Sequence, residues 1–234
     1  MFFATPVYRK PSEATRKTVE ALLRRFGGQW VTVELPWVGN ARSELAGQFL
    51  ESGEPHCLWI DADISFAPEV VDLMLAAAAP IITCTYRRRK PPHGWAAQSL
   101  DRRDLCFAPE RILPGGKQRV IEIASDGFGC VLVRRDAIER MCRRYRDPWR
   151  GPKLGYVSAE GKPRVHLFAH GVETVDGRPR AVGEDTAFFL RARACGFTVE
   201  CLADATIVHD GIRGCLGATF DALVEGAAKA LMDL

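Results

Sequence analysis

The stretch Cys57-Leu58-Trp59-Ile60-Asp61-Ala62-Asp63-Ile64-Ser65-Phe66 decides how this chain is read. Cys57 to Ile60 are apolar at every position. So short a run, bounded by Pro55, is the pattern of a central strand buried on both faces. It leads directly into two carboxylates spaced i, i+2. In an open α/β sheet the carboxyl edge of the strands is where ligands bind. Two carboxylates left together at the end of a buried strand repel each other and lose hydration. A divalent cation removes both costs, and carboxylate, phosphate and water oxygens suit magnesium or manganese. The residues alone leave a second reading open, in which Asp63 caps the next helix and Asp61 faces water.

Upstream, Phe2 to Thr5 reads as a short strand stopping at Pro6, followed by a loop through Pro11. Ser12 is placed to cap a helix carrying Val19, Leu22, Leu23 and Phe26 on one face and closed by Gly27-Gly28. Trp30 to Leu35 alternates as a strand, and Asn40 is placed to cap a helix through Leu50. Downstream, Pro68 opens a helix that packs Val70, Val71, Leu73, Met74 and Leu75 inward, and Ile81 to Thr85 is a further strand. This β-α-β-α-β-α-β order predicts an α/β fold of three layers with a mostly parallel central sheet.

Beyond Tyr86 the pattern loosens. Arg87 to Arg119 is polar and broken by prolines. Val120 to Ala124 and Cys130 to Val133 read as strands, the second preceded by Gly127-Phe128-Gly129, and a basic helix runs from about Asp136 to Tyr145. Residues 147–182 are rich in Gly and Pro, with a hairpin expected at Asp176-Gly177. Connections of that length inside a domain are usually functional. Glu184 to Cys195 is a helix stopped by Gly196, Phe197 to Leu202 and Thr206 to Val208 are strands, and Gly217 to Leu234 is an amphipathic helix with Phe220, Leu223, Ala227 and Leu231 on one side.

At 234 residues the chain predicts one domain with a sizeable core. A net charge of +3 does not by itself argue for nucleic acid or membrane. The basic residues are local: Arg87-Arg88-Arg89-Lys90 form one block, and Arg134 to Lys153 holds eight basic residues against three acidic ones. None of the eight cysteines forms a Cys-x-x-Cys pair, which argues against a zinc ribbon or redox motif. With no signal peptide and no run long enough to span a bilayer, the expectation is a reduced, cytoplasmic protein.

Several pieces in order resemble the GT-A glycosyltransferases: Thr5-Pro6-x-Tyr8, Ala41-Arg42-Ser43-Glu44-Leu45-Ala46, Trp59-Ile60-Asp61-Ala62-Asp63-Ile64, Thr85-Tyr86-Arg87-Arg88-Arg89, Gly127-Phe128-Gly129, Gly183-Glu184-Asp185 and His209. The early half is similar to Anp1-like mannosyltransferases and their bacterial and phage relatives, and Gly183 to Gly211 to family 2 enzymes. One departure is that those relatives carry Arg-Asn where this chain has Arg42-Ser43.

The resemblance implies a single GT-A domain with a nucleotide-binding half (1–86), an acceptor half (87–216) and a C-terminal helix (217–234). It implies manganese or magnesium and a nucleotide-sugar donor, most simply UDP-linked. Asp61, Asp63 and His209 would serve the metal, with Asp61 also meeting the ribose. Thr5, Pro6 and Tyr8 would line the base and ribose pocket, with Glu34 a further candidate. Arg42, a cation in the first turn of a helix where the dipole opposes it, would face phosphate or acceptor, or else pair with Glu44. Asp185, with Glu184 behind it, would take the proton from an acceptor hydroxyl. Asp126, Gly127 and Phe128 would meet the acceptor, the glycine allowing close approach. His166 and His170, although spaced i, i+4, read as ordinary loop or strand histidines. The acceptor itself is open: a glycan, a small molecule or a modified base in DNA, for which Trp149 and the basic block around it offer stacking and charge. Two other classes stand beside the transferase. A nucleotidyltransferase would need a Gly-rich, Lys-bearing loop after the first strand, which Thr5 to Lys10 lacks. A non-catalytic nucleotide-sugar or nucleic-acid binder would not need Asp63, Asp185 and His209 intact.

Overall fold

The computed structural model describes residues 1–8, 10–88, 94–100, 105, 108, 110–116, 118–146, 154–158, 160–175, 177–209 and 212–222. In chain order the elements are β1 (Phe2–Val7), α1 (Glu13–Phe26), β2 (Gln29–Glu34), α2 (Val38–Ser52), β3 (His56–Ile60), β4 (Ile64–Ser65), α3 (Glu69–Ala76) and β5 (Ile81–Thr83). Then follow β6 (Glu110–Ile112), β7 (Arg119–Glu122), β8 (Cys130–Arg134), α4 (Arg135–Arg146), β9 (Gly155–Val157) and β10 (Pro163–Val165). The last are β11 (Gly171–Val175), β12 (Arg178–Val182), α5 (Glu184–Ala194), β13 (Glu200–Leu202), β14 (Thr206–His209) and β15 (Ile212–Cys215).

The main sheet has eight strands in the order β2-β1-β3-β8-β5-β13-β7-β6. β8 and β7 run against the other strands, so the sheet is mostly parallel in direction. β3 and β5 are not neighbours: β8 lies between them, antiparallel to both, in register with β3 from His56↔Arg134 to Ile60↔Cys130. Its first four residues are buried, which suits a slot at the middle of a sheet.

Side chains alternate along each strand, so the two sheet faces build two cores. On one, Phe2, Cys57 and Trp59 pack against Leu45 and Phe49 of α2, Ile138 and Met141 of α4 and Phe188 and Phe189 of α5. On the other, Phe3, Leu58 and Ile60 pack against Val19 and Leu22 of α1 and Val70, Val71 and Met74 of α3. The result is the three-layer α/β/α architecture expected from the element order. At the centre of the first core, Phe128 lies 5.5 Å from Trp59, 4.7 Å from Phe168 and 4.8 Å from Phe188, all edge to face.

Ser12 caps α1 as expected, its hydroxyl accepting from the Thr15 amide at 3.1 Å. The 176–177 hairpin is also formed, β11 pairing with β12 from Gly171↔Val182 to Val175↔Arg178. Asn40, however, is not a cap. α2 begins three residues earlier, with Trp37 as its N-cap residue, and Asn40 lies inside the helix, where its Oδ1 accepts from His166 Nε2 at 2.8 Å. The helix expected from Gly217 is seen over residues 216–222, and the rest of that expectation, with Leu223, Ala227 and Leu231, lies outside the described residues. Among the described residues no helix is long and apolar enough to cross a membrane.

Removing a ring from the aromatic cluster should far outweigh losing a surface cap. Phe188→Ala is expected to lower the unfolding free energy by about 3–5 kcal/mol and Ser12→Ala by about 1 kcal/mol, both read from urea unfolding. Equal losses would mean that this cluster is not the centre of the core.

Candidate active site

Two strand pairings and a helix start gather the candidate residues at one edge of the sheet. β3 ends at Ile60, and the Asp61 amide bonds the Gly129 carbonyl at 3.0 Å. Because β8 is antiparallel to β3, its lead-in, Asp126 to Gly129, therefore lies beside Asp61-Ala62-Asp63. β4, just after Asp63, pairs antiparallel with β14 in the register His209↔Ile64, which carries His209 to the same place. α5 starts at Glu184, with Glu184 and Asp185 in its first turn, where the helix dipole favours them.

Arg42 joins these pieces. It lies in the second turn of α2, with 3% of its side chain exposed. Its Nη2 donates to both Asp61 oxygens at 3.0 and 3.2 Å, and its Nη1 donates to Glu184 at 3.4 Å and, at closer range, to Asp185. The guanidinium carbon sits 5.2 Å from the centre of the Phe128 ring. Burial works against this charge, but Asp185 and Asp61 outweigh it and hold the guanidinium protonated. Arg42 thus faces the chain's own carboxylates. The alternative partner, Glu44, instead accepts from Arg164 at 3.1 and 3.2 Å. Ser43, the departure from the family pattern, bonds His166 Nδ1 at 2.8 Å.

Asp63 Oδ2 lies 3.7 Å from His209 Nε2. The other ring nitrogen, Nδ1, is 2.9 Å from the Arg87 carbonyl. A carbonyl only accepts, so Nδ1 carries a proton, and Nε2 is the ring nitrogen that faces the carboxylate. One carboxylate oxygen and one imidazole nitrogen at this spacing could contribute two ligands to manganese or magnesium once phosphate oxygens are added. Asp61 is turned to Arg42, and among the described residues no three His, Cys, Asp or Glu side chains converge to hold a metal unaided.

Two cavities flank this centre, and both include His209 in their walls. The first, of 440 Å³, is lined by Pro6, Tyr8 and Trp37 at an apolar end and by Asp61, Asp63 and His170. The second, of 430 Å³, is lined by Tyr86, Arg88, Gln98, Asp126, Gly127 and Asp185. Burial pushes the Asp185 carboxyl up, Arg42 pulls it back, and Glu184 and Asp61 raise it again, leaving it near 6. Asp126 is 3% exposed, and burial pushes it up to about 7 even though Thr83, the Gly127 amide and Thr85 all donate to it.

Other candidates fall elsewhere. Thr5 is fully buried, its hydroxyl accepting from Trp30 Nε1 at 3.0 Å, and does not line the first cavity. Glu34 is exposed at the end of β2 and is not in that lining either. Phe128 is fully buried, so its ring supports Arg42 instead of meeting a ligand. Gly127, by contrast, lines the second cavity, and its lack of a side chain also admits Tyr86: a Cβ there would lie 2.1 Å from the Tyr86 hydroxyl. Trp149 lies outside the described residues. The sequence reading takes His170 as an ordinary loop or strand histidine and does not weigh Trp37. His170 Nε2 is 3.5 Å from Glu184 and lines the first cavity. A signal for Trp37 was available, since a tryptophan following Leu35-Pro36 just before a helix is an uneconomical choice for solvent.

No protein-family model and no curated protein sequence matches the chain. Among solved structures it is similar to A197 from STIV, with a TM-score of 0.53 at 14% identity over 89% of this chain and 84% of that one. At that identity the likeness shows the fold alone. A glycosyltransferase involved in the glycosylation of the major capsid of PBCV-1 aligns with a TM-score of 0.34 at 15% identity, over 59% of this chain and 61% of that one. UDP-glucose pyrophosphorylase complexed with UDP-glucose aligns with a TM-score of 0.41 at 10% identity, over 97% and 81%. Both scores are too low to establish a shared fold.

Asp126 makes the stability of this site pH-dependent. Its folded carboxyl titrates near 7 against an ordinary value of 3.8. Between those values the folded chain keeps a proton that the unfolded chain has released, so stability falls as pH rises through the window and levels off above it. Asp126→Asn keeps the shape, and its amide can donate to Thr83. The variant should match the parent at about pH 4 and exceed it by a few kcal/mol, as an order of magnitude, at about pH 8 in urea unfolding. A constant difference across that range would mean Asp126 is already ionised in the fold.

Proposed function

We propose that this protein is a glycosyltransferase that moves a sugar from a nucleotide diphosphate donor to an acceptor hydroxyl, with manganese or magnesium. The observation that carries this is the junction of two cavities at His209, with Asp63 lining one and Asp185 lining the other. The sequence resemblance to the GT-A enzymes supports the same assignment, and it makes a UDP-linked donor the simplest starting point.

In this mechanism the first cavity takes the donor. Asp63 and His209 would hold the divalent cation, which when bound supplies Lewis-acid stabilisation to the departing diphosphate. Asp185, in the second cavity, accepts the proton of the acceptor hydroxyl as that oxygen forms its bond to the anomeric carbon and the bond from that carbon to the diphosphate oxygen breaks. A carboxyl titrating near 6 is ionised at neutral pH and still basic enough to assist. Arg42 holds Asp185 and Glu184 in line with Asp61, so that donor and acceptor groups keep a fixed separation. His170, through Glu184, closes the donor side of this arrangement.

Calorimetry with a panel of nucleotide sugars, with and without manganese, tests the assignment. At least one should bind, and only with the metal; no heat from any of them would refute it. Asp63→Ala should abolish that metal-dependent binding while circular dichroism remains unchanged. Asp185→Asn should bind donor normally and turn over about a hundredfold more slowly or worse, and a normal rate would remove Asp185 from the role of base.

A further inference from the structure

The wall of the second cavity holds a hydroxyl that the fold buries and does not use. Tyr86 is 8% exposed and lines that cavity. Its ring is committed to protein, lying 4.7 Å from the His209 ring, edge to face. Its hydroxyl is not. The group lies over Gly127, another residue of the same wall, where a Cβ would come within 2.1 Å of it. None of the hydrogen bonds among the described residues includes it. A hydroxyl kept so far from water without a partner costs free energy that a ligand oxygen would recover.

Chemistry and position limit what that ligand is. Burial, and then the charges of Asp61, Asp185 and Asp126, hold the phenol well above its ordinary range, so it stays protonated and donates. The Phe128 backbone amide acts as a hydrogen-bond donor on the Asp185 carboxylate. The Tyr86 donor and the Asp185 acceptor therefore stand over adjacent residues, Gly127 and Phe128. Thr186, next after Asp185 in α5, and Gln98 add a hydroxyl and an amide to the same wall.

We propose that the acceptor is a polyol, such as a sugar ring, and that Tyr86 donates to the hydroxyl next to the one that attacks. This rests on the function proposed above and names the acceptor class which that function leaves open. Asp185 faces the reacting hydroxyl, and Tyr86, one residue along, holds its neighbour. The pair thus reads two adjacent oxygens and fixes which of them reacts. A site built to bond a hydroxyl discriminates against the analogue that lacks it. A nucleobase with a lone hydroxymethyl group has no second hydroxyl to offer, and the Tyr86 ring, already packed on His209, is not placed to stack on a base.

The test is saturation-transfer NMR titration of the intact protein, held in manganese and the nucleoside diphosphate of the donor that binds in the panel above. The probes are the methyl glycosides of glucose, mannose and galactose, and an oligonucleotide carrying hydroxymethylcytosine. At least one glycoside should bind, and more tightly than the oligonucleotide. Tyr86→Phe keeps the ring against His209, so its melting temperature and its affinity for the nucleotide with manganese should match the parent. The glycoside should bind that variant about tenfold more weakly. Among the monodeoxy forms of that glycoside, one should lose about tenfold in the parent and nothing further in Tyr86→Phe. Unchanged glycoside affinity in Tyr86→Phe, or losses that simply add for every deoxy form, overturn the role of Tyr86. Binding of the oligonucleotide alone, or of no probe, overturns the polyol and leaves the proposed function standing. No binding by any nucleotide sugar in the panel sinks both.

Discussion

The site depends on one buried cation. The Arg42 guanidinium is shared by Asp61 at the end of β3 and by Glu184 and Asp185 at the start of α5. Removing one partner from such a cluster leaves charges uncompensated away from water, which is far more costly than the net worth of the intact pairs. The cluster therefore fixes α2, β3 and α5 relative to one another. Its planar fork bonds two groups of carboxylates at once, which a lysine would not do. The ring of Phe128 beneath it completes the seat. Asp61 is turned to this task, while Asp63 lies 3.7 Å from His209 on the other side.

Strand direction does the rest. Had β3 and β5 been neighbours, as a simple parallel winding would have them, Asp126 would have no reason to lie near Asp61. The antiparallel insertion of β8 turns the segment before it back to the carboxyl edge, where the Thr83 and Thr85 hydroxyls at the end of β5 meet Asp126. β4 is only two residues long, yet its pairing with β14 is what brings His209 across more than a hundred residues of sequence to Asp63. Both are local ladder choices with long-range chemical consequences.

Much of this was legible in the sequence because it follows from short-range rules. Ser12 caps its helix, the hairpin forms on either side of 176–177, and an apolar run ending in Asp61-Ala62-Asp63 is a central strand opening onto a cavity. The misplacements share a cause. Asn40 looked like a cap, but its Oδ1 has a partner in His166, and α2 could start at Trp37 instead. Phe128 looked placed to meet the acceptor, and its ring lies buried against Arg42. Arg42 looked free to face phosphate or acceptor, with Glu44 as the alternative partner, and it meets Asp61, Glu184 and Asp185 while Glu44 pairs with Arg164. In each case residue type was read correctly as special, and the partner lay far off in the chain.

Periodicity, capping residues and the placing of charge after an apolar strand are properties of neighbouring residues, so the sequence by itself determined the α/β class, the layer order and the acidic edge of the sheet. Which carboxylate meets Arg42, which faces His209, and which sits dry beneath Thr83 and Thr85 depended on strand order and on what each side chain could reach across the folded core. Only the tertiary structure decided those, because desolvation and ion pairing act through space and carry no signature along the chain.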